Sequence, residues 1–391
     1  MSRPRVALLL VVVGDLGGSG GAERLFSALH EHFATSAPGV VTLITARSSL
    51  RRLREAGYLR TADAVDALPL GREPGRGKVA IAWMTLQLLW LTALRRFDLV
   101  HICLPSPVYV PFAAALRVVP RRWRPRLTLT VVDCTLATSL DVPPPHGTYG
   151  RQVLDAHRLY DRWTRLDGIF SWYRAFVEAD RGGSAAVVRA ARFCFTDPDR
   201  FRPAATKLPL IIFAGRFSEQ KRPLLFVEAV ARLRQAEPGL VNRYRFRMYG
   251  KGALQAQVNS RITELGLEQV IEVTHAVDMA PVFAESQLFI STQAIENFTS
   301  LSMLESMAAG NAIIAEDVGQ TREFVRHGEN GLLVSEPTAD AFAAALAAYL
   351  RAPEWHAPMA RSSRAIATDV QTRERFADDI TAFWQAVVSH E

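Results

Sequence analysis

A chain of 391 residues exceeds what one globular core ordinarily serves and accommodates two domains of common size. With 49% hydrophobic and 22% charged residues it has the balance of a soluble globular protein, which excludes a disordered chain and a polytopic membrane protein. A formal charge of +7 favours anionic partners, and the wide separation of Cys103, Cys134 and Cys194 suits neither a zinc site nor a disulfide framework, so a reducing compartment and no structural metal are expected.

In chain order, the apolar run 6–13 reads as a buried strand, since it ends in Gly14-Asp15 without the small-residue cleavage pattern of a signal peptide. Further strands are expected at 40–45, 99–104 and 127–132, and helices at 22–33 and 79–95. Residues 79–94 carry no charge, yet the run is shorter than the ~20 residues that span a bilayer and contains Thr85, Gln87 and Thr92. It reads as a core or interfacial helix, with Trp83 and Trp90 in the core. The second half continues with strands at 208–214, 245–249, 287–291, 312–315 and 331–334 and helices at 223–235, 253–265 and 302–309. This alternation predicts an α/β protein with parallel sheets.

The polar, proline-bearing stretch 196–203 marks a domain boundary, giving domains at 1–200 and 204–371. A final helix at 372–391 places Phe376, Ile380, Phe383, Trp384 and Val387 on one stripe and needs a surface to cover, for which the first domain is the candidate.

Three loops carry groups with chemical potential. The first expected strand runs into a glycine cluster at 14–21 and then a helix, which suits either a phosphate site or a tight turn. Its spacing is not that of the dinucleotide fingerprint, and no P-loop occurs in the chain. At 211–223 a strand leads through Arg216 and Lys221 to a helix opening at Pro223. Only four of the 46 basic residues are lysines, and one of them lies at this strand end, where a guanidinium and an ammonium clamp a diphosphate or form a solvated basic loop. At 296–310, Ser302 reads as an N-cap with Glu305 completing a capping box, and Glu296 must lie in the preceding loop if both glutamates serve one site.

The strings Gly20-Gly21-Ala22-Glu23-Arg24, GRFSEQKRP at 215–223 and SLSMLESMAAG at 300–310, followed by Asp317-Val318-Gly319, resemble family four of the retaining GT-B glycosyltransferases, also called glycosyl transferases group 1. The resemblance covers most of the chain. It implies two Rossmann-like domains facing a cleft, a C-terminal helix crossing back to the first, and transfer of a sugar from a nucleoside diphosphate donor, UDP- or GDP-linked, to an acceptor hydroxyl with retention. It further implies that Gly20 and Gly21 approach the donor diphosphate while Arg216 and Lys221 hold it. In the same way Glu296 would contact sugar hydroxyls, Glu305 the ribose, the amides of Leu301 and Ser302 the phosphate, and Val277 would lie near the base.

Two departures stand out. Eight residues rather than seven separate Glu296 from Glu305, which puts Asn297 at the usual place of the first glutamate. Val132, before Asp133, stands where many relatives have a histidine, so Asp133 and Glu296 are the carboxylates expected near the reacting carbon. His101 fits a family pattern at a strand end and is either a cleft residue or a core group. The expected partners are a nucleotide sugar and a glycan, lipid-linked or small-molecule acceptor, with no cofactor, no metal and no nucleic acid. A cytoplasmic location follows, with peripheral membrane contact suggested by the charge and by the arginine-flanked stretch 79–96. The rival readings are a nucleotide-sugar epimerase of the same architecture and a degenerate nucleotide-sugar-binding scaffold.

Overall fold

The computed structural model describes residues 4–10, 21–55, 59, 67–70, 78–103, 109–131, 166–171, 187–276, 278–293 and 300–390. The chain divides into two units, Met1–Phe193 with Arg373–Glu391, and Cys194–Thr372.

The first unit contains β1 (Val6–Leu10), α1 (Gly21–Ser36), β2 (Val41–Ala46), α2 (Arg47–Glu55), β3 (Ala67–Leu70), α3 (Lys78–Arg95), β4 (Leu99–Ile102), α4 (Tyr109–Leu116), β5 (Arg126–Val131), β6 (Gly168–Ser171) and β7 (Val187–Ala190). The second contains β8 (Leu210–Ala214), α5 (Pro223–Ala236), α6 (Pro238–Val241), β9 (Arg245–Tyr249), α7 (Gln255–Glu264), β10 (Ile271–Thr274), α8 (Ala280–Glu285), β11 (Leu288–Ser291), α9 (Leu301–Ala308), β12 (Ala312–Glu316), β13 (Gly331–Val334), α10 (Ala339–Arg351) and α11 (Pro353–Ala365). The last helix, α12 (Arg373–Ser389), returns to the first unit.

Among the described residues each unit has one parallel sheet, ordered β3-β2-β1-β4-β5-β6-β7 and β10-β9-β8-β11-β12-β13. Central strands such as β1 and β12 are buried along their whole length, which is why they read as unbroken apolar runs rather than alternating ones. In both sheets the order reverses beside the first strand, between β1 and β4 and between β8 and β11. Ligand crevices of open α/β sheets form at the carboxyl ends of strands at such points.

α12 fills one face of the first unit. Phe376, Ile380, Phe383, Trp384 and Val387 are all buried, as their stripe predicts. The helix runs so close to β6 that a Cβ on Gly168 would stand 2.6 Å from Val387 Cγ2, so this position requires glycine. The buried Asp379 carboxylate receives Arg189 at 2.8 Å, Arg192 at 3.2 Å and the Arg192 amide at 2.9 Å.

His101, on β4, is wholly buried under α12. Trp384 Nε1 donates to its Nδ1 at 3.2 Å, and an indole nitrogen can only donate, so Nδ1 is unprotonated. The proton therefore sits on Nε2, which donates to Thr130 Oγ1 at 2.6 Å, while Thr128 Oγ1 lies 2.8 Å from Nδ1. Burial pulls the imidazole down to about 3. Of its two readings, this is the geometry of the core group.

α3 corrects an expectation. Its inner face is formed by Met84, Thr85, Leu88 and Thr92, and the threonine hydroxyls donate back to the carbonyls of Ile81 and Leu88 at 2.9 and 2.6 Å. With that face taken by threonines, Trp83 and Trp90 point outward instead of into the core, 56% and 64% exposed.

Candidate functional site

β8 ends at Ala214, beside the reversal point of the second sheet, and continues into the loop 215–222. The Gly215 amide donates to Tyr249 O at 3.0 Å and the Phe217 amide to Lys251 O at 2.9 Å, which lays this loop along the one after β9. The two loops meet so closely that a Cβ at Gly250 would collide with the Gly215 carbonyl and one at Gly252 with the Phe217 carbonyl. Gly215 is different: a Cβ there would meet nothing nearer than 3.8 Å, so protein packing does not demand its glycine.

A single 3-10 turn, Glu219–Lys221, brings the chain to Arg222, whose φ of 44° and ψ of 57° are left-handed. Such a backbone is costly for a residue with a side chain and persists only where its surroundings fix it. Here they do. Arg222 Nε donates to Thr292 O at 2.8 Å, and the guanidinium pairs with Glu316 at the end of β12. Thr292, just beyond β11, places its hydroxyl 2.9 Å from the carbonyls of both Lys221 and Arg222. Lys221 Nζ donates to Gln293 Oε1. The loops after β8 and β11 are thereby tied together across the reversal point, with the Lys221 ammonium between them. Burial lowers the Arg222 guanidinium from its ordinary range, which still leaves an arginine ionised.

α9 begins at Leu301 with Ser300 as its N-cap, and the Ser300 side chain makes no capping bond. Ser302 is therefore inside the first turn, and the expected capping box with Glu305 does not form. Leu301 is buried and Ser302 half-buried, and their amides belong to the first turn, the positive end of the helix. Glu305 is buried one turn further along. Burial pushes the Cys194 thiol up to about 12, and the Glu305 carboxylate adds to the rise, which puts the acid within electrostatic reach of that sulfur.

Of the sequence-derived site residues, Arg216, Lys221, Leu301, Ser302 and Glu305 are in the second unit, Arg216 exposed and Lys221 half-buried. Gly21 opens α1 in the first unit. Gly20, Asp133, Val277, Glu296 and Asn297, with Val132, lie outside the described residues. Sequence reasoning missed Arg222, Thr292, Gln293 and Glu316, because a left-handed arginine and its partner 94 positions away (316 − 222) leave no local pattern.

No group of three or more His, Cys, Asp or Glu residues able to hold a metal occurs among the described residues. One spacing capable of bidentate metal binding, Asp197-Pro198-Asp199, serves a turn instead. Asp197 Oδ1 accepts the amides of Asp199 and Arg200 at 3.0 and 3.2 Å, and Asp199 pairs with Arg202.

Residues 208–352 match the family described as Glycosyl transferases group 1. The chain is 29% identical over 158 residues to a D-inositol 3-phosphate glycosyltransferase of Arthrobacter sp. (strain FB24), covering 39% of this chain and 37% of that protein. It is 30% identical over 139 residues to the lipopolysaccharide core biosynthesis glycosyltransferase LpsE of Rhizobium meliloti, covering 35% and 38%. A further relative is the GtfA subunit of a UDP-N-acetylglucosamine–peptide N-acetylglucosaminyltransferase of Streptococcus parasanguinis, 26% identical over 145 residues, covering 37% and 28%. The chain thus spans about a third of the length of these curated relatives. Among solved structures it is similar to Anabaena Alr3699/HepE in complex with UDP and glucose, with a TM-score of 0.73 at 16% identity over 98% of this chain and 100% of that one. Sucrose-phosphate synthase of Thermosynechococcus elongatus gives a TM-score of 0.74 at 17% identity over 99% and 100%. The fold is that of the GT-B glycosyltransferases, with two Rossmann-like domains.

Proposed function

We propose that this chain, a member of the glycosyl transferases group 1 family through its residues 208–352, is a glycosyltransferase that moves a sugar from a nucleoside diphosphate donor to an acceptor hydroxyl. The observation that carries the reading is the tied loop pair at the β8–β11 reversal point, where Lys221 is held by Thr292 and Gln293 and Gly215 is small without a packing reason. A diphosphate bound there takes the Lys221 ammonium and the Arg216 guanidinium as counter-charges and the first-turn amides of α9 as hydrogen-bond donors. Gly215 leaves room for the close approach of a phosphate oxygen. The UDP and glucose held by the Anabaena neighbour favour a UDP-linked donor, with GDP as the alternative.

Glu305 is assigned to the donor ribose, Glu296 or Asn297 to the sugar hydroxyls, Gly20 and Gly21 to the diphosphate, and Val277 to the base. Stabilising the departing diphosphate is the main catalytic contribution in this reading, because the clearest functional groups are cations and amides aimed at negative charge. The departing phosphate then accepts the acceptor's proton in a front-face attack that retains anomeric configuration, with Asp133 and Glu296 as supporting carboxylates. In this reading transfer needs no divalent ion and should persist in EDTA, and a strict magnesium or manganese dependence overturns that part of it. The transferase names of the relatives favour sugar transfer over epimerisation of the donor. The acceptor is a glycan, a lipid-linked sugar or a small molecule met in the cytoplasm or at the cytoplasmic membrane face.

Calorimetric titration with UDP-glucose and GDP-mannose tests the site. Lys221→Ala or Arg216→Ala should weaken the better donor by about 1.5–3 kcal/mol, the scale of a charge-assisted hydrogen bond. Unchanged affinity in both variants sinks the assignment. NMR of the product's anomeric proton tests retention, and an inverted linkage overturns the front-face route.

A further inference from the structure

The outer face of α3 is an exposed apolar feature that the donor site leaves unexplained. Val79, Trp83, Leu86, Trp90 and Leu94 recur at helical spacing and are 84%, 56%, 59%, 64% and 60% exposed. They form one stripe about 22 Å long at 1.5 Å per residue. A soluble helix turns such a stripe inward; this one turns Thr85 and Thr92 inward and the tryptophans out.

The charge around the stripe has one sign. No aspartate or glutamate occurs from 74 to 97 or from 99 to 132, whereas Arg95 and Arg96 follow the stripe directly and are exposed. Sheet topology adds a second basic, aromatic cluster at the same end. α3 leads into β4 and α4 into β5, and these strands pair with Leu99 opposite Arg126. The segment entering β5 therefore ends beside the junction of α3 and β4, and it carries exposed Arg117, Val118, Arg122 and Trp123. The Arg122 guanidinium covers the Trp123 ring at 4.4 Å.

We propose that this face of α3, continued by the Val118–Trp123 segment, docks on an anionic lipid surface. Tryptophan belongs at headgroup depth, where its ring is in the apolar layer and its N–H is wet, and arginines beside it meet the lipid phosphates. No helix among the described residues is long and apolar enough to cross a membrane, so α3 lies in the plane of the interface. A second copy of the chain is the poorer occupant, because Lys78 opens α3 and Arg95 and Arg96 close it, so a two-fold contact along the stripe sets cation against cation whichever way the two helices run. The inference extends the functional reading by placing the acceptor at a membrane, and it rests on that reading for the acceptor alone.

The test uses the full chain with vesicles of phosphatidylglycerol and phosphatidylcholine, against phosphatidylcholine alone, read by co-sedimentation and by quenching of tryptophan fluorescence with brominated lipid. Wild type should bind the anionic vesicles, release them at high salt and be quenched. Trp83→Ser with Trp90→Ser, and separately Arg95→Glu with Arg122→Glu, should each lower the partition coefficient at least ~tenfold while UDP-sugar affinity stays unchanged. Absence of vesicle binding by wild type, equal binding by the tryptophan variant, or a wild-type dimer that this variant dissociates overturns the proposal. Loss of UDP-sugar binding in wild type with vesicle binding intact defeats the donor reading and leaves the docking surface standing.

Discussion

Single residues in this chain are held in conformations that their own chemistry disfavours, and the surroundings that hold them can be tested. Arg222 is left-handed beside the lysine proposed to bind the diphosphate, and Thr292 O and Glu316 fix it there. Arg222→Ala leaves the mostly buried Glu316 unpaired and keeps the backbone cost, so stability should fall by about 2–4 kcal/mol. Because both partners act through one contact, Arg222→Ala with Glu316→Ala should cost less than the sum, and a double-mutant cycle in urea measures the difference. His101 offers a second test. Its folded imidazole titrates at about 3, against ~6.5 in an unfolded chain. Between those values the unfolded state binds the extra proton, so this residue's contribution is full above ~6.5 and is lost as pH falls, by about 1.4 kcal/mol per pH unit. Urea midpoints from pH 7 to 5 should therefore drop more steeply for wild type than for His101→Gln.

At the scale of elements, what the sequence made legible was period, and what it hid was orientation. Strands 245–249 and 331–334 have the expected limits: the first alternates arginine with buried Phe246 and Met248, and the second is a short apolar run opening on a glycine. The α12 stripe was readable for the same reason, and its residues are buried as a set. α3 has a stripe as well, but pattern alone does not say which face meets the core, and Thr85 and Thr92 occupy the side that the tryptophans were expected to fill. β6 and β7 escaped reading because four residues, with a glycine in one and Arg189 in the other, carry no period. The loop proposed to hold the donor drew notice through Arg216 and Lys221, whereas its fastening through Thr292 and Glu316 depends on contacts between distant strands. For α12 the strongest single determinant is Asp379, wholly buried between two arginines. Asp379→Ala removes the acceptor of both arginines and of the Arg192 amide, and because the two guanidinium groups stay partly solvated it should cost about 1–3 kcal/mol, while Asp379→Asn keeps part of the hydrogen bonding and should cost less. Equal losses in denaturant titrations of the two variants would show that the charge is not what matters. Gly168→Ala should cost about 1–3 kcal/mol by pushing Val387 and Phe383 off β6.

For the whole molecule, the order of the chain and its division into units differ. The family match at 208–352 falls inside the second unit, whereas the last helix belongs to the first. A chain ending at residue 372 therefore keeps every described strand and helix of the second unit but removes from the first the helix that covers His101, Phe170 and Gly168. Removing Phe376, Ile380, Phe383, Trp384 and Val387 exposes an apolar face whose burial is worth roughly 1.5–3 kcal/mol per side chain, together comparable to the whole margin of a typical domain. The first unit should then fail to fold while the second survives. Fluorescence separates the two, because six of the seven tryptophans lie in the first unit and only Trp355 in the second. In the truncated chain the tryptophan transition should shrink to the small signal of Trp355, and far-ultraviolet circular dichroism should retain one transition, within about 2–4 °C of its full-length midpoint. A cooperative tryptophan transition that persists after truncation when Trp355 is replaced by phenylalanine would show that α12 merely decorates the first unit, and loss of the circular dichroism transition would show that the second unit does not fold without it.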